Sequence, residues 1–164
     1  KKVGDYNSNL IIKSYEIMQK KYYPDNEIVF GVFSTYSRYA GEREAVFTAI
    51  CRQNYGCSHF IVGRDHTGIG NHNNNSHNIF LEFADLEIEI IKYNTVYYSK
   101  KHQSYLEELN EKLDLNNNDK MSISGTEARK MFSEHKAPPA WYMRPEISKM
   151  IIESIKAKEN VFIT

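Results

Sequence analysis

An apolar run, His59–Val62, stops at Gly63 and passes straight into Arg64-Asp65-His66-Thr67-Gly68-Ile69-Gly70. A buried strand that ends in a glycine-rich, charged loop points to an open α/β sheet, where ligands gather beyond the carboxyl ends of parallel strands. Glycine lets the main chain approach a ligand and expose its N–H groups, and arginine supplies a planar donor fork suited to phosphate or sulfate. The same residues also describe a solvated turn whose charges pair with one another. Two readings follow, an anion or nucleotide site and that plain turn.

The rest of the chain fits the same class. Ile11, Tyr15, Met18 and Tyr22 recur at helical spacing, with Asn7 or Ser8 to cap and Pro24 after the end. Residues 27–33 are rich in β-formers and apolar on both faces, which predicts a buried parallel strand. Gly41 opens a second helix with Ala45, Val46, Ala49 and Ile50 on one face, Glu42 and Glu44 in its first turn, Arg52 near its end and Gly56 closing it. The Asn-rich residues 71–78 read as loop, residues 79–85 as a short helix and residues 86–91 as a third strand. Residues 100–120 are polar, with Leu106, Leu109 and Leu113 at helical spacing before a loop at Asn116 to Asn118. Ser124 and Glu127 have capping-box spacing ahead of a helix carrying Ala128, Met131 and Phe132. Pro145 suits the first position of a last helix whose Ile147, Ile151 and Ile155 share a face. Strand and helix alternating in this way predict a parallel sheet with right-handed crossovers.

A length of 164 residues allows a core large enough to fold alone. The formal net charge is zero, so no broad field draws in nucleic acid or an acidic membrane, and an anion site must be a local concentration of charge. No apolar run approaches the ~20 residues that cross a bilayer, and no secretory signal opens the chain. Cys51 and Cys57 do not make a disulfide framework, and a reducing cytoplasm is the simplest setting. His66, His72 and His77 lack the cysteines or fixed helical spacing of a metal centre, so no tightly bound protein metal is expected.

Four ordered motifs carry a resemblance. The segment Gly63-Arg64-Asp65-His66, followed by a small residue and Gly, resembles the nucleotide-binding loop of the ATP sulfurylase (sulfate adenylyltransferase) family. Upstream, Arg38-Tyr39-Ala40-Gly41-Glu42-Arg43-Glu44-Ala45-Val46-Phe47 and Arg52-Gln53-Asn54-Tyr55-Gly56-Cys57 are similar to that family's helix and turn. Downstream, Ile123-Ser124-Gly125-Thr126-Glu127-Ala128-Arg129 and Pro138-Pro139-Ala140-Trp141-Tyr142-Met143-Arg144-Pro145-Glu146 are similar to its second nucleotide motif and closing helix. The resemblance covers nearly the whole chain. It implies a Rossmann-like, parallel-sheet α/β nucleotidyltransferase domain with a small C-terminal helical subdomain. Residues 1–120 would be the second half of the catalytic domain, and residues 121–164 the helical segment with the Ile-Ser-Gly-Thr motif.

The implied reaction joins ATP and sulfate into adenosine 5′-phosphosulfate and pyrophosphate, with Mg-ATP as substrate, in cytoplasmic sulfate assimilation. Carried over by position, Gly63, Arg64, Asp65 and His66 fall on the nucleotide-contacting loop, with Arg64 and His66 as the catalytic pair. Arg64 would meet phosphate or transition-state charge, or else be a salt-bridged structural arginine. Asp65 orients the loop or binds ribose; His66 is a donor to phosphate or a packed loop histidine. Thr67 falls where the family usually has an alanine whose N–H meets sulfate, and its β-branch adds bulk there. Ser124, Gly125, Thr126 and Arg129 resemble the motif that holds the β- and γ-phosphates. A helix start is an anion site on its own physical grounds, because its first N–H groups lack partners. Arg38 is read as supporting the site and Arg43 as structural; Ile90 and Ile91 match the region whose backbone reads adenine. Glu42 and Thr48 replace the family's usual proline and histidine.

The family's Gln-x-Arg-Asn-Pro-x-His-x-x-His motif, which supplies further sulfate and phosphate contacts, is expected upstream of Lys1. By that reading the chain is a fragment, inactive alone, of a protein that forms a homo-oligomer. The β-prone run Val161-Phe162-Ile163-Thr164 is either a fraying tail or the start of a fused adenylylsulfate kinase domain after Thr164. The alternative function is a non-catalytic, sulfurylase-like nucleotide-binding or assembly module.

Overall fold

The computed structural model describes residues 3–36, 40–63, 79–93, 96–107 and 119–163. The chain divides into two compact units, one of Lys1–Ser34 with Ser122–Thr164 and one of Thr35–Met121. The first 34 residues thus group with the C-terminal helices rather than with the segment that follows them.

In the first unit, α1 (Ser8–Tyr22) starts where the Asn7 side chain accepts from the Asn9 N–H. Its Leu10 joins Phe132 of α3 (Gly125–Ser133), Ile147, Met150 and Ile151 of α4 (Pro145–Lys156), and Val161 in one apolar cluster. Ile155 is half-buried against the same cluster, completing the expected stripe. Val161 and Ile163 are hydrogen-bonded to the residues ahead of α1. Gly4 N–H donates to Ile163 O at 2.8 Å, Ile163 N–H to Asp5 O at 2.8 Å and Asn7 N–H to Val161 O at 2.9 Å. Residues 27–33 are not a strand: no regular pairing forms there, and Val29 is 99% exposed. β-Propensity measures fit to a pleated, half-buried surface, and among the described residues no strand pairs with these. Phe30 instead stacks on Tyr15 of α1, ring centroids 5.6 Å apart, and Tyr15 stays 56% exposed.

In the second unit, Gly41 adopts a positive φ of 59° that an L-residue rarely takes, and α2 (Glu42–Asn54) follows. Gly56, at φ 84°, turns the chain out of that helix, and its N–H donates to Gln53 O. β1 (His59–Val62) pairs in parallel with β2 (Glu89–Lys92), His59 opposite Glu89 and Val62 opposite Lys92. A single 3₁₀ turn, Ile79–Glu82, precedes β2, which starts three residues later than the sequence pattern indicated. Ala45, Val46 and Ala49 pack with Val62, Ile79, Phe80 and Ile88. Ile50, expected on the buried face, is 40% exposed because the alanine face alone meets the strand.

A second, antiparallel sheet was not foreseen. β3 (Val96–Ser99) lies between β4 (Ser104–Glu107) and β5 (Lys120–Met121). Leu106 is therefore a strand residue rather than part of a helix, while Leu109, Leu113 and Asn116 to Asn118 lie outside the described residues. The turn is held by Asp119, whose carboxylate accepts from Ser99 Oγ at 2.7 Å and Lys101 N–H at 2.6 Å. Those bonds hold its pKa below the usual carboxylate value. No helix among the described residues is long and apolar enough to cross a membrane.

Candidate functional site

β1 forms with the boundaries read from the sequence, and its last residue, Val62, is fully buried. That burial delivers Gly63 at the strand end, where a β-carbon would meet nothing within 4 Å. Its face is nevertheless one-sided: Ile61 is 61% exposed, so the pair does not have the double covering of a central parallel strand. At the strand start, His59 Nε2 lies 3.2 Å from Glu89 Oε2 and its Nδ1 meets Ser58 Oγ at 2.8 Å, both on the surface. Arg64, Asp65, His66 and Thr67 lie outside the described residues, as do Arg38, His72 and His77. Thr48, in place of the family's histidine, donates its hydroxyl to Glu44 O at 2.8 Å within α2, and Arg43 is exposed.

The second candidate is built at the start of α3. Ser124 is the N-cap: its Oγ accepts the Glu127 N–H at 3.1 Å, and Glu127 Oε2 accepts from Ser124 N–H at 2.8 Å and Ser124 Oγ–H at 2.7 Å. This capping box leaves Ser124 engaged on both its polar groups and holds the Glu127 carboxyl below its ordinary pKa. Ala128 N–H donates to Ser124 O, so among the described residues the N–H groups of Gly125 and Thr126 are the two of the first turn without a protein partner. Ala128 and Phe132, four apart, bury one face of the helix, while Ser124 through Glu127 stay exposed.

Arg129 turns back over that start. Its Nη2 donates to Thr126 Oγ1 at 3.1 Å, and Nη1 lies 3.4 Å from where a β-carbon on Gly125 would be. Burial first, and then the neighbouring Tyr142, push the Tyr6 phenol pKa up, with the Arg129 charge opposing them more weakly. Nothing in the sequence pattern singled out Tyr6. Its bridge to Phe162 across the chain ends brings it there. Among the described cavities, an apolar groove of about 80 Å³ beside α1 and α4, lined by Tyr6, Leu10, Ile11, Met143, Ile147 and Met150, is far smaller than the ~300–1,000 Å³ of a nucleotide-sized pocket.

One unit thus holds a parallel β-pair whose first strand ends at Gly63, and the other a helix start with a guanidinium beside it, an α/β arrangement of elements. The family model for ATP-sulfurylase matches residues 1–154, and the chain belongs to that family. The sulfate adenylyltransferase of Ignicoccus hospitalis is 42% identical over 155 residues, 93% of this chain and 40% of the relative. Those of Cenarchaeum symbiosum and Pyrococcus abyssi are each 39% identical, over 93% and 99% of this chain and 40% and 42% of their own lengths. The chain thus spans about 40% of the length of the curated relatives it matches. Among solved structures, a hexameric APS kinase from Thiobacillus denitrificans superposes with a TM-score of 0.64 at 16% identity, over 89% of this chain and 27% of that one, a likeness of fold alone.

Proposed function

We propose that the chain is the part of a sulfate adenylyltransferase that binds ATP through the loop after Gly63 and through Ser124–Arg129. The observation that carries this is the start of α3, where two unpaired N–H groups and an arginine guanidinium converge within a motif of the matched family. A guanidinium laid over a helix N-terminus opposes the helix dipole, and an anion between them relieves that opposition.

In the reaction, a sulfate oxygen attacks the α-phosphorus of Mg-ATP, a new P–O bond forms, and the bond to the bridging oxygen of pyrophosphate breaks. Sulfate is fully ionised at neutral pH, so removing a proton cannot improve it as a nucleophile. The protein's work is therefore to align two anions and neutralise charge on the leaving group. Gly125 and Thr126 N–H groups and Arg129 would take the β- and γ-phosphates, with Ser124 shaping the helix start through its cap. Arg64 and His66 would face the charge that develops at the α-phosphorus, Gly63 and Asp65 would set the loop, and Thr67 N–H would meet sulfate. The remaining length of the curated relatives is where the paired-histidine motif is expected, so the 164-residue chain by itself is proposed to be inactive. The cytoplasm and a homo-oligomeric assembly belong to the same proposal.

The test is pyrophosphate release by the full-length protein. Release that requires both sulfate and Mg-ATP is expected, and Arg64→Ala should lower kcat about 10²–10³-fold, the weight of one lost oxyanion donor. ATP binding without sulfate-dependent turnover would replace this reading with a nucleotide-sensing or assembly module.

A further inference from the structure

We infer that the Thr126 hydroxyl is a positioning group that acts through Arg129 and does not itself grip the phosphates; the inference rests on the phosphate-site reading of α3 proposed above. The Thr126 hydroxyl accepts from Arg129 Nη2 at 3.1 Å, which aims one of its lone pairs at the guanidinium before any ligand arrives. The guanidinium then lies against the one residue of the turn without a side chain, 3.4 Å from the missing β-carbon of Gly125. The sequence spacing accounts for this: Thr126 and Arg129 are three apart on one helix face, the reach that lets such pairs meet. Arg129 is half-buried while Gly125 and Thr126 are exposed, and its guanidinium reaches back to the open helix start. An arginine carries many rotamers, and fixing it in the free protein removes an ordering cost that ligand binding would otherwise carry. Thr126 therefore contributes two separate things, an N–H to the anion and a hydroxyl to the arginine.

A double-mutant cycle in the full-length protein tests this, with inorganic tripolyphosphate as the probe and calorimetry as the readout. Thr126→Val keeps the shape and the backbone N–H but removes the hydroxyl; it should weaken binding about tenfold, the weight of one hydrogen bond to a charged group. Thr126→Ser should restore wild-type affinity. On an Arg129→Ala background, Thr126→Val should cost nothing more. A valine penalty that persists in full without Arg129 would overturn the inference, since the hydroxyl would then touch the phosphates itself. So would a Thr126→Val protein of unchanged affinity when Arg129→Ala is weakened. If Arg129→Ala also leaves affinity unchanged, the phosphate reading of α3 falls. The positioning role is then decided by the crystal structure of ligand-free Thr126→Val: a guanidinium displaced from Gly125 sustains it, and one that has not moved overturns it.

Discussion

The two units differ in what their helices bring to the core. The first closes Leu10, Phe132, Ile147, Met150, Ile151 and Val161 into one cluster, large side chains brought from three helices and the chain's last residues. The second sets a helix on a strand through Ala45, Val46 and Ala49, small residues that let the α2 backbone come close to Val62. Large knobs tolerate varied helix crossings but leave a cavity when cut down. Small contacts have little to lose and no room to grow. The candidate sites follow the same division. Gly63 is positioned by a strand pressed against a helix, whereas Gly125 and Thr126 sit on the first turn of a helix held from its other face by Ala128 and Phe132.

The largest effect is expected from breaking the first core at its centre. Phe132 is fully buried, and Phe132→Ala should destabilise the first unit by about 3–5 kcal/mol, measured by urea unfolding. Amide exchange should show the loss of protection in α1, α3 and α4, since Phe132 shares its cluster with residues of α1 and α4. Loss spread equally over α2 and β1 would erase the contrast between the units. The opposite kind of change suits the second core. Ala49→Leu should cost about 1–3 kcal/mol by overpacking against the β1 face, while the same replacement at exposed Ile50 next to it should be nearly neutral.

How much of this was legible in the sequence depended on whether the forces involved were local. α1, α2, α3, α4 and β1 were readable because caps, helix dipoles and apolar spacing act within a few residues. Ser124 with Glu127, Gly41, Gly56 and Pro145 each do in the structure what their chemistry demands. Residues 27–33 misled because their β-propensity is conditional on a neighbouring strand, and a sequence window cannot say whether one is present. The sheet of β3, β4 and β5 was missed for the same reason in reverse. Its hairpin alternates weakly, and its register is held by Asp119, a carboxylate far along the chain that no periodicity links to Ser99 or Lys101. Ser124 and Arg129 were singled out by motif. Tyr6, brought to Arg129 by the pairing of the chain ends, carried no local signal at all.

The cation–π link between Arg144 and Tyr22 gives a smaller perturbation of the first unit. The Arg144 guanidinium stacks 4.2 Å from the Tyr22 ring, and the Tyr22 hydroxyl donates to Glu146, joining the end of α1 to the start of α4. Tyr22→Phe removes only the hydroxyl. It should lower the thermal unfolding midpoint only slightly and return the Glu146 carboxyl toward its ordinary pKa, read by carboxyl NMR titration.

The smallest effect separates the α3 start from everything beneath it. Ser124→Ala deletes the cap and should cost about 1 kcal/mol, since a helix anchored by Phe132 can lose its first turn without losing its core. Glu127 supplies a pH dependence to the same turn. Its carboxyl sits below its ordinary pKa because Ser124 Oγ–H and then Ser124 N–H bond to the ionised form. A carboxyl with a depressed folded pKa stabilises the protein above its unfolded pKa, and that contribution is lost as pH falls through the lower folded value. Protection of the Glu127 and Ala128 amides should therefore hold from neutrality to about pH 4.5 and decline below it. Glu127→Gln should flatten that decline, leaving the acid sensitivity due to Glu146 and Asp119 in place. If the α3 start kept its protection in acid while the core around Phe132 gave way, the helix start would be held by its core, and the cap would have no independent part in shaping the site.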